Sequence, residues 1–145
     1  MNRFMQIAFE QAEAAAHRGE VPVGAVLVRD DVVLAAAGNR VEELRDPTAH
    51  AEMLAIRAAA AAGSGRLEGC DLYVTLEPCP MCAAALSLAK LRRIYFGAYD
   101  PKSGGVEHGA KVFDHPTCHH RPEIYGGIDE SRAAELLRAF FKEKR

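Results

Sequence analysis

The chain has 145 residues, 49% of them hydrophobic and 26% charged, with a formal charge of −2. That composition excludes a disordered polymer and a globally basic nucleic-acid binder, and the length is that of one ordinary domain. The charge is unevenly spread: residues 1–85 carry 7 Lys/Arg against 12 Asp/Glu, residues 86–145 carry 11 against 8, and a polyanion is expected to meet the second half.

No apolar run approaches the length of about 18 residues needed to span a bilayer, and Met1–Phe4 leads into an alanine-rich helical pattern, not an export signal. No membrane association is expected, and the expected compartment is the cytoplasm. There, Cys70, Cys79, Cys82 and Cys118 are expected as thiols or metal ligands, not as disulfides.

In chain order, residues 3–17 place apolar side chains at helical spacing and Gly19 stops the run. Residues 22–29 and 32–35 are β-rich around an Asp30-Asp31 turn, and 38–49 is loop. Residues 50–62 are strong helix formers ended by Gly63-Ser64-Gly65. A buried strand is expected over 71–76, stopped by Glu77-Pro78 because a residue before proline avoids the helical region. A helix over 79–89 and a strand over 93–97 follow. Residues 98–121, rich in Gly, Pro and His, form a long excursion, and a short strand at 123–125 and a helix over 129–143 close the chain. This order predicts an α/β fold of three layers, with helices on both faces of a mixed five-stranded sheet. The strand–helix–strand units from residue 33 onward predict parallel pairing.

Two clusters carry chemistry. His50-Ala51-Glu52 opens one helix, and Pro78-Cys79-Pro80-Met81-Cys82 joins a strand to the next. The Cys-x-x-Cys spacing brings two thiolates to one metal, at a helix start whose N–H groups favour negative charge. His50 makes a third ligand, and three protein ligands with an open fourth position is the composition of a catalytic zinc site. Glu52 lies two positions on. The cap residue of a helix is not yet helical, so both side chains can turn into one pocket, where a carboxylate can take a proton from an activated water and return it to a leaving amine.

His-x-Glu followed by Pro-Cys-x-x-Cys is the signature of the zinc nucleoside and nucleobase deaminases. The likeness extends through residues 20–28, Asn39-Arg40, residues 46–52, residues 73–82, Phe96-Gly-Ala98 and residues 100–104, as far as Phe140-Phe141. Over nearly its whole length the chain resembles the bacterial tRNA-specific adenosine deaminases of the cytidine/deoxycytidylate deaminase superfamily. The resemblance implies one cytidine-deaminase-like domain over 1–145 and one zinc per subunit on His50, Cys79 and Cys82. It also implies Glu52 as the proton carrier in hydrolysis at C6 of a wobble adenosine, giving inosine and ammonia. By the same resemblance Asn39 contacts the target nucleotide, the N–H groups of Ala51 and Cys79 meet the attacking oxygen, and Asp100 and Lys102 meet flanking nucleotides of a tRNA anticodon stem-loop. A homodimer is implied as well. Tyr99 stands where a basic residue is common in that family, and the tail Lys142-Glu143-Lys144-Arg145 is short.

Other readings stand beside these. Cys-x-x-Cys at a strand-to-helix turn also suits a redox pair, and a zinc site can be purely structural or serve a non-catalytic RNA-binding module. A deaminase of free guanine, cytosine or cytidine has the same zinc chemistry. Cys70 and Cys118 read as core or free thiols, the His115, His119 and His120 cluster as a weak second metal motif, Glu77 as a loop brace, and Phe140-Phe141 as helix anchors of which one is available to stack on a base.

Overall fold

The computed structural model describes residues 2–144. Helix α1 (Arg3–His17) begins at Asn2, whose side-chain oxygen accepts from the N–H groups of Phe4 and Met5 at 2.8 and 3.2 Å. Strands β1 (Gly24–Arg29) and β2 (Val32–Gly38) form a hairpin through Asp30 and Asp31, both at positive φ (50° and 63°), the left-handed pair that suits a two-residue turn between twisted strands. A four-residue helix α2 (Val41–Leu44) lies in the expected loop, and α3 (Ala51–Ala62), β3 (Asp71–Leu76), α4 (Pro80–Leu88) and β4 (Arg93–Ala98) follow. The excursion holds one 3-10 turn (Val112–Asp114) before β5 (Glu123–Tyr125) and α5 (Glu130–Glu143).

The sheet order is β2-β1-β3-β4-β5. Strands β3, β4 and β5 pair parallel, whereas β1 pairs antiparallel with both β2 and β3. This corrects one expectation: β2 and β3 run the same way but are not neighbours, because β1 lies between them. The reason is burial. Ala25 to Val28 are apolar in succession and buried on both faces, as a central strand requires, while β2 starts with exposed Val32, Val33 and Leu34 and takes the edge.

Alternation along the strands divides the core. Leu27, Leu72, Val74 and Ile94 pack under Ala55 of α3 and Leu86 of α4. Val26, Val28 and Tyr73 face the other way, against Phe4, Met5 and Phe9 of α1 and Ala133 of α5. The second layer sits close: a Cβ on Gly24 would run into the backbone at Ala8 and Ala12, so α1 can rest on β1 only with glycine there. With α3 and α4 on one face, their N-termini meet beyond the carboxyl end of β3.

Candidate active site

His50 and Cys79 are both N-cap residues, with extended backbones (φ/ψ −73°/153° and −71°/171°), and Pro80 occupies the first turn of α4, where its missing N–H costs nothing. The extended caps turn both side chains off their helix axes toward each other. His50 Nδ1 stands 3.6 Å from the sulfur of Cys79 and 3.6 Å from that of Cys82. Tetrahedral zinc with ordinary Zn–S and Zn–N lengths separates a sulfur and a nitrogen ligand by about 3.6 Å. The donor set and its spacing therefore fit that ion. Among the described residues this is the one group of three His, Cys or acidic side chains whose ligand atoms lie within 4.8 Å of one another.

The weaker second motif is committed elsewhere. The Nε2–H groups of His115 and His120 donate to the carbonyls of Ala110 and Leu91 at 2.7 and 2.6 Å, and the Cys118 thiol donates to the His120 carbonyl. None of the four cysteines is in a disulfide.

Protonation in the trio follows from its crowding. The hydrogen bond from the Cys82 thiol, helped by His50 and opposed by burial, draws the Cys79 thiol down to about 4. That same bond, with burial and the nearby Glu52, holds Cys82 well above the ordinary thiol range, and Cys79 raises His50 above its usual value. Glu52, in the first turn of α3, is 4% exposed, and burial pushes its carboxyl up to about 7. A carboxyl that exchanges its proton near neutral pH is suited to acid–base work at that pH.

His50, Cys79 and Glu52 floor a cavity of about 620 Å³ whose walls include Asn39, Leu76, Asp100, Ser103, Phe140 and Phe141. The volume is ample for a base with its ribose. Asn39, 8% exposed, turns its Oδ1 to the N–H of Ala51 at 2.8 Å. This revises one expectation: the Ala51 N–H is already engaged, so instead of meeting an attacking oxygen it locks Asn39 in place with Nδ2 as the remaining donor group. The Asp100 Oδ1 accepts from the N–H groups of Lys102 and Ser103 at 3.2 and 3.0 Å. Lys102 does not line this cavity; it lies in an adjoining groove with Arg138, Phe141, Lys142 and Lys144. Phe140 and Phe141 meet edge to face at 5.3 Å and both reach the cavity wall.

One wall residue, Glu20, had no assigned role from sequence. It is 2% exposed, and its carboxylate accepts from the N–H groups of Glu42 and Glu43 at 3.1 and 2.9 Å, which holds α2 against the cavity. The available signal was an acid placed directly before an apolar strand, in Glu20-Val21-Pro22-Val23.

Residues 1–98 match the cytidine and deoxycytidylate deaminase zinc-binding region. The chain is 59% identical over 143 residues to the tRNA-specific adenosine deaminase of Agrobacterium fabrum, covering 98% of this chain and 94% of that one. It superposes with a TM-score of 0.90 and 57% identity on a solved structure from a study of A-to-I editing by tRNA:A34 deaminases at the wobble position of transfer RNA, over 93% of this chain and 99% of that one. A guanine deaminase from Nitrosomonas europaea shares the fold at TM-score 0.78 with only 23% identity, over 94% of this chain and 82% of that one. By the matched region and these identities, the chain belongs to the cytidine and deoxycytidylate deaminase family and, within it, to the tRNA-specific adenosine deaminases.

Proposed function

We propose that residues 1–145 form one zinc-dependent hydrolase domain that converts adenosine to inosine at the wobble position of a tRNA anticodon and releases ammonia. The observation that carries this reading is the buried Glu52 carboxyl beside the His50, Cys79 and Cys82 trio, on the floor of a cavity large enough for a nucleoside. The high identity to tRNA-specific adenosine deaminases supports the transfer-RNA substrate over a free base or nucleoside.

His50, Cys79 and Cys82 would hold one zinc per subunit, which supplies the Lewis acidity that makes water nucleophilic near neutral pH. Glu52 takes a proton from the attacking water and places it on adenine N1 as the C6–O bond forms, then takes the remaining proton from the new C6 hydroxyl and passes it to the amino group, whose C6–N bond breaks as the C6 carbonyl forms. Adenosine and water thus become inosine and ammonia with the carboxyl restored. Asn39 presents Nδ2 to the target nucleotide while its Oδ1 stays on Ala51. With Oδ1 of Asp100 committed to the loop, Oδ2 is the oxygen available to a ribose 2′-OH, a contact that DNA lacks. Lys102 and the cations beside it in the groove suit flanking phosphates.

The same reading takes the chain as a homodimer in the cytoplasm, where its substrate is. Leu88 on α4, 83% exposed, is the most prominent apolar side chain for a second copy to cover. No helix among the described residues is long and apolar enough to cross a membrane.

Mass spectrometry of an anticodon stem-loop with adenosine at the wobble position tests the substrate. The expected result is a gain of about 1 Da with ammonia release, as exchange of an amino group for oxygen requires. Deamination of free guanine or cytosine with the stem-loop untouched would overturn the reading.

A further inference from the structure

Glu77 directly follows β3 and is completely buried at its side chain, yet it does not belong to the metal trio. Its carboxylate gathers five donors from one loop. Oε1 accepts from the Asp100 N–H at 3.0 Å and the His108 Nδ1–H at 2.9 Å. Oε2 accepts from the N–H groups of Val106, Glu107 and His108 at 3.2, 2.9 and 3.0 Å. The loop wraps directly on these oxygens: a Cβ on Gly104 would lie 2.5 Å from Oε2 and 2.5 Å from the Asp100 carbonyl. The His108 ring then meets Tyr99 edge-on at 5.9 Å, and Tyr99 meets Phe96 at 5.1 Å. Both ends of the segment that carries Asp100, Lys102 and Ser103 are thereby tied to one carboxylate.

We propose that Glu77 and His108 are a positioning pair for substrate: together they set the shape of the 99–108 loop and so the affinity for the RNA strand, without taking part in the proton transfers. This rests on the proposed function for the identity of the substrate. The chemistry requires a carboxylate and not an amide. All five donors converge on two acceptor-only atoms, and an amide in either orientation turns its NH2 toward N–H groups. A buried polar hub that is fully satisfied fixes one arrangement, and a half-satisfied one loosens it. Asp100 and Ser103 line the catalytic cavity, so loosening changes how substrate is held, while the Gly105 N–H bond to the Pro78 carbonyl at 2.8 Å, which does not involve Glu77, still ties the loop beside Cys79.

The test uses the zinc-loaded protein. Glu77→Gln is expected to raise KM for the anticodon stem-loop about tenfold with kcat within about twofold, the pattern of lost uniform binding. Zinc content should be unchanged, and amide exchange should quicken at residues 100 and 106–108 but not in α3 or α4. His108→Ala should raise KM several-fold, about 3- to 10-fold, and His108→Asn, whose amide can place a donor near the Nδ1 position, should restore it to within about twofold. That rescue decides the matter should Glu77→Gln not fold. Unchanged exchange, loosened exchange with unchanged KM, loss of zinc, or equal effects of the two His108 variants would each overturn the proposal. If the wild-type protein leaves the stem-loop untouched, the substrate reading has failed, and the exchange measurement still reads whether Glu77 shapes the loop.

Discussion

Replacing Asn39 by alanine removes a side chain with two duties, an acceptor for the Ala51 N–H and a donor for substrate. Its Oδ1 receives the Ala51 N–H at 2.8 Å, at the start of the helix that carries Glu52, and the residue is 8% exposed. Alanine leaves that N–H without its partner, and an orphaned buried donor costs about 1–3 kcal/mol. Because the cavity beside it can admit water, the lower half of that range applies, about 1.5 kcal/mol, or roughly a tenfold shift in the unfolding equilibrium. Asn39→Asp separates the two duties. Its carboxylate still accepts from Ala51 and gains from the positive end of α3, but the Nδ2 donor is gone. Urea denaturation of the zinc-loaded proteins, paired with turnover of the wobble-adenosine stem-loop, is the assay. Asn39→Ala should lose stability and activity together, while Asn39→Asp should recover at least half of the stability and remain inactive. An alanine variant as stable as wild type would refute the structural part of this reasoning, and an active aspartate variant would refute the use of Nδ2.

Other expectations are simpler to state. Glu52→Gln should retain zinc and fold yet lose turnover by about 10²–10⁴-fold, the contribution typical of a positioned acid–base group, and near-normal turnover would remove Glu52 from the mechanism. Cys82→Ser should weaken zinc binding at least about tenfold and lower the melting temperature, because ligand set and folding are linked through the metal; elemental analysis and a thermal melt read both. The wild type is expected to sediment as a dimer and Leu88→Asp as a monomer, and a variant that still dimerises would place the pairing surface elsewhere.

The features legible in the sequence are those that depend on short-range spacing. Gly19 and Gly63 mark helix ends because the chain cannot continue the helix cheaply there, and the structure ends α1 at His17 and α3 at Ala62. The trio of His50, Cys79 and Cys82 was visible as two local motifs. What stayed hidden was set by partners far away in sequence. Helix α2 is too short to form on its own propensity and is held by Glu20, about twenty residues upstream. The Ala51 N–H looked available because its acceptor comes from a loop residue, Asn39, across a turn that no periodicity encodes. The strand order likewise depended on which strand of the hairpin would bury both faces, a question decided by the partners on either side of β1. Lys102 reads in sequence as a companion of Asp100, but only Asp100 reaches the cavity, while both line the adjoining groove.

The insertion of β1 between β2 and β3 has a consequence for how the protein is made. Residues 2–38 can pair β1 with β2 and lay α1 across both using local contacts alone. Until Asp71–Leu76 has been synthesised, roughly thirty residues later, the other edge of β1 has no strand to bond. A nascent chain or a fragment cut near residue 65 thus presents an apolar strand with a bare edge, the kind of surface that recruits other chains. Fragments ending before β3 are expected to aggregate, and fragments ending after β4 are expected to be far better behaved; pelleting of translation products truncated at each boundary would show it.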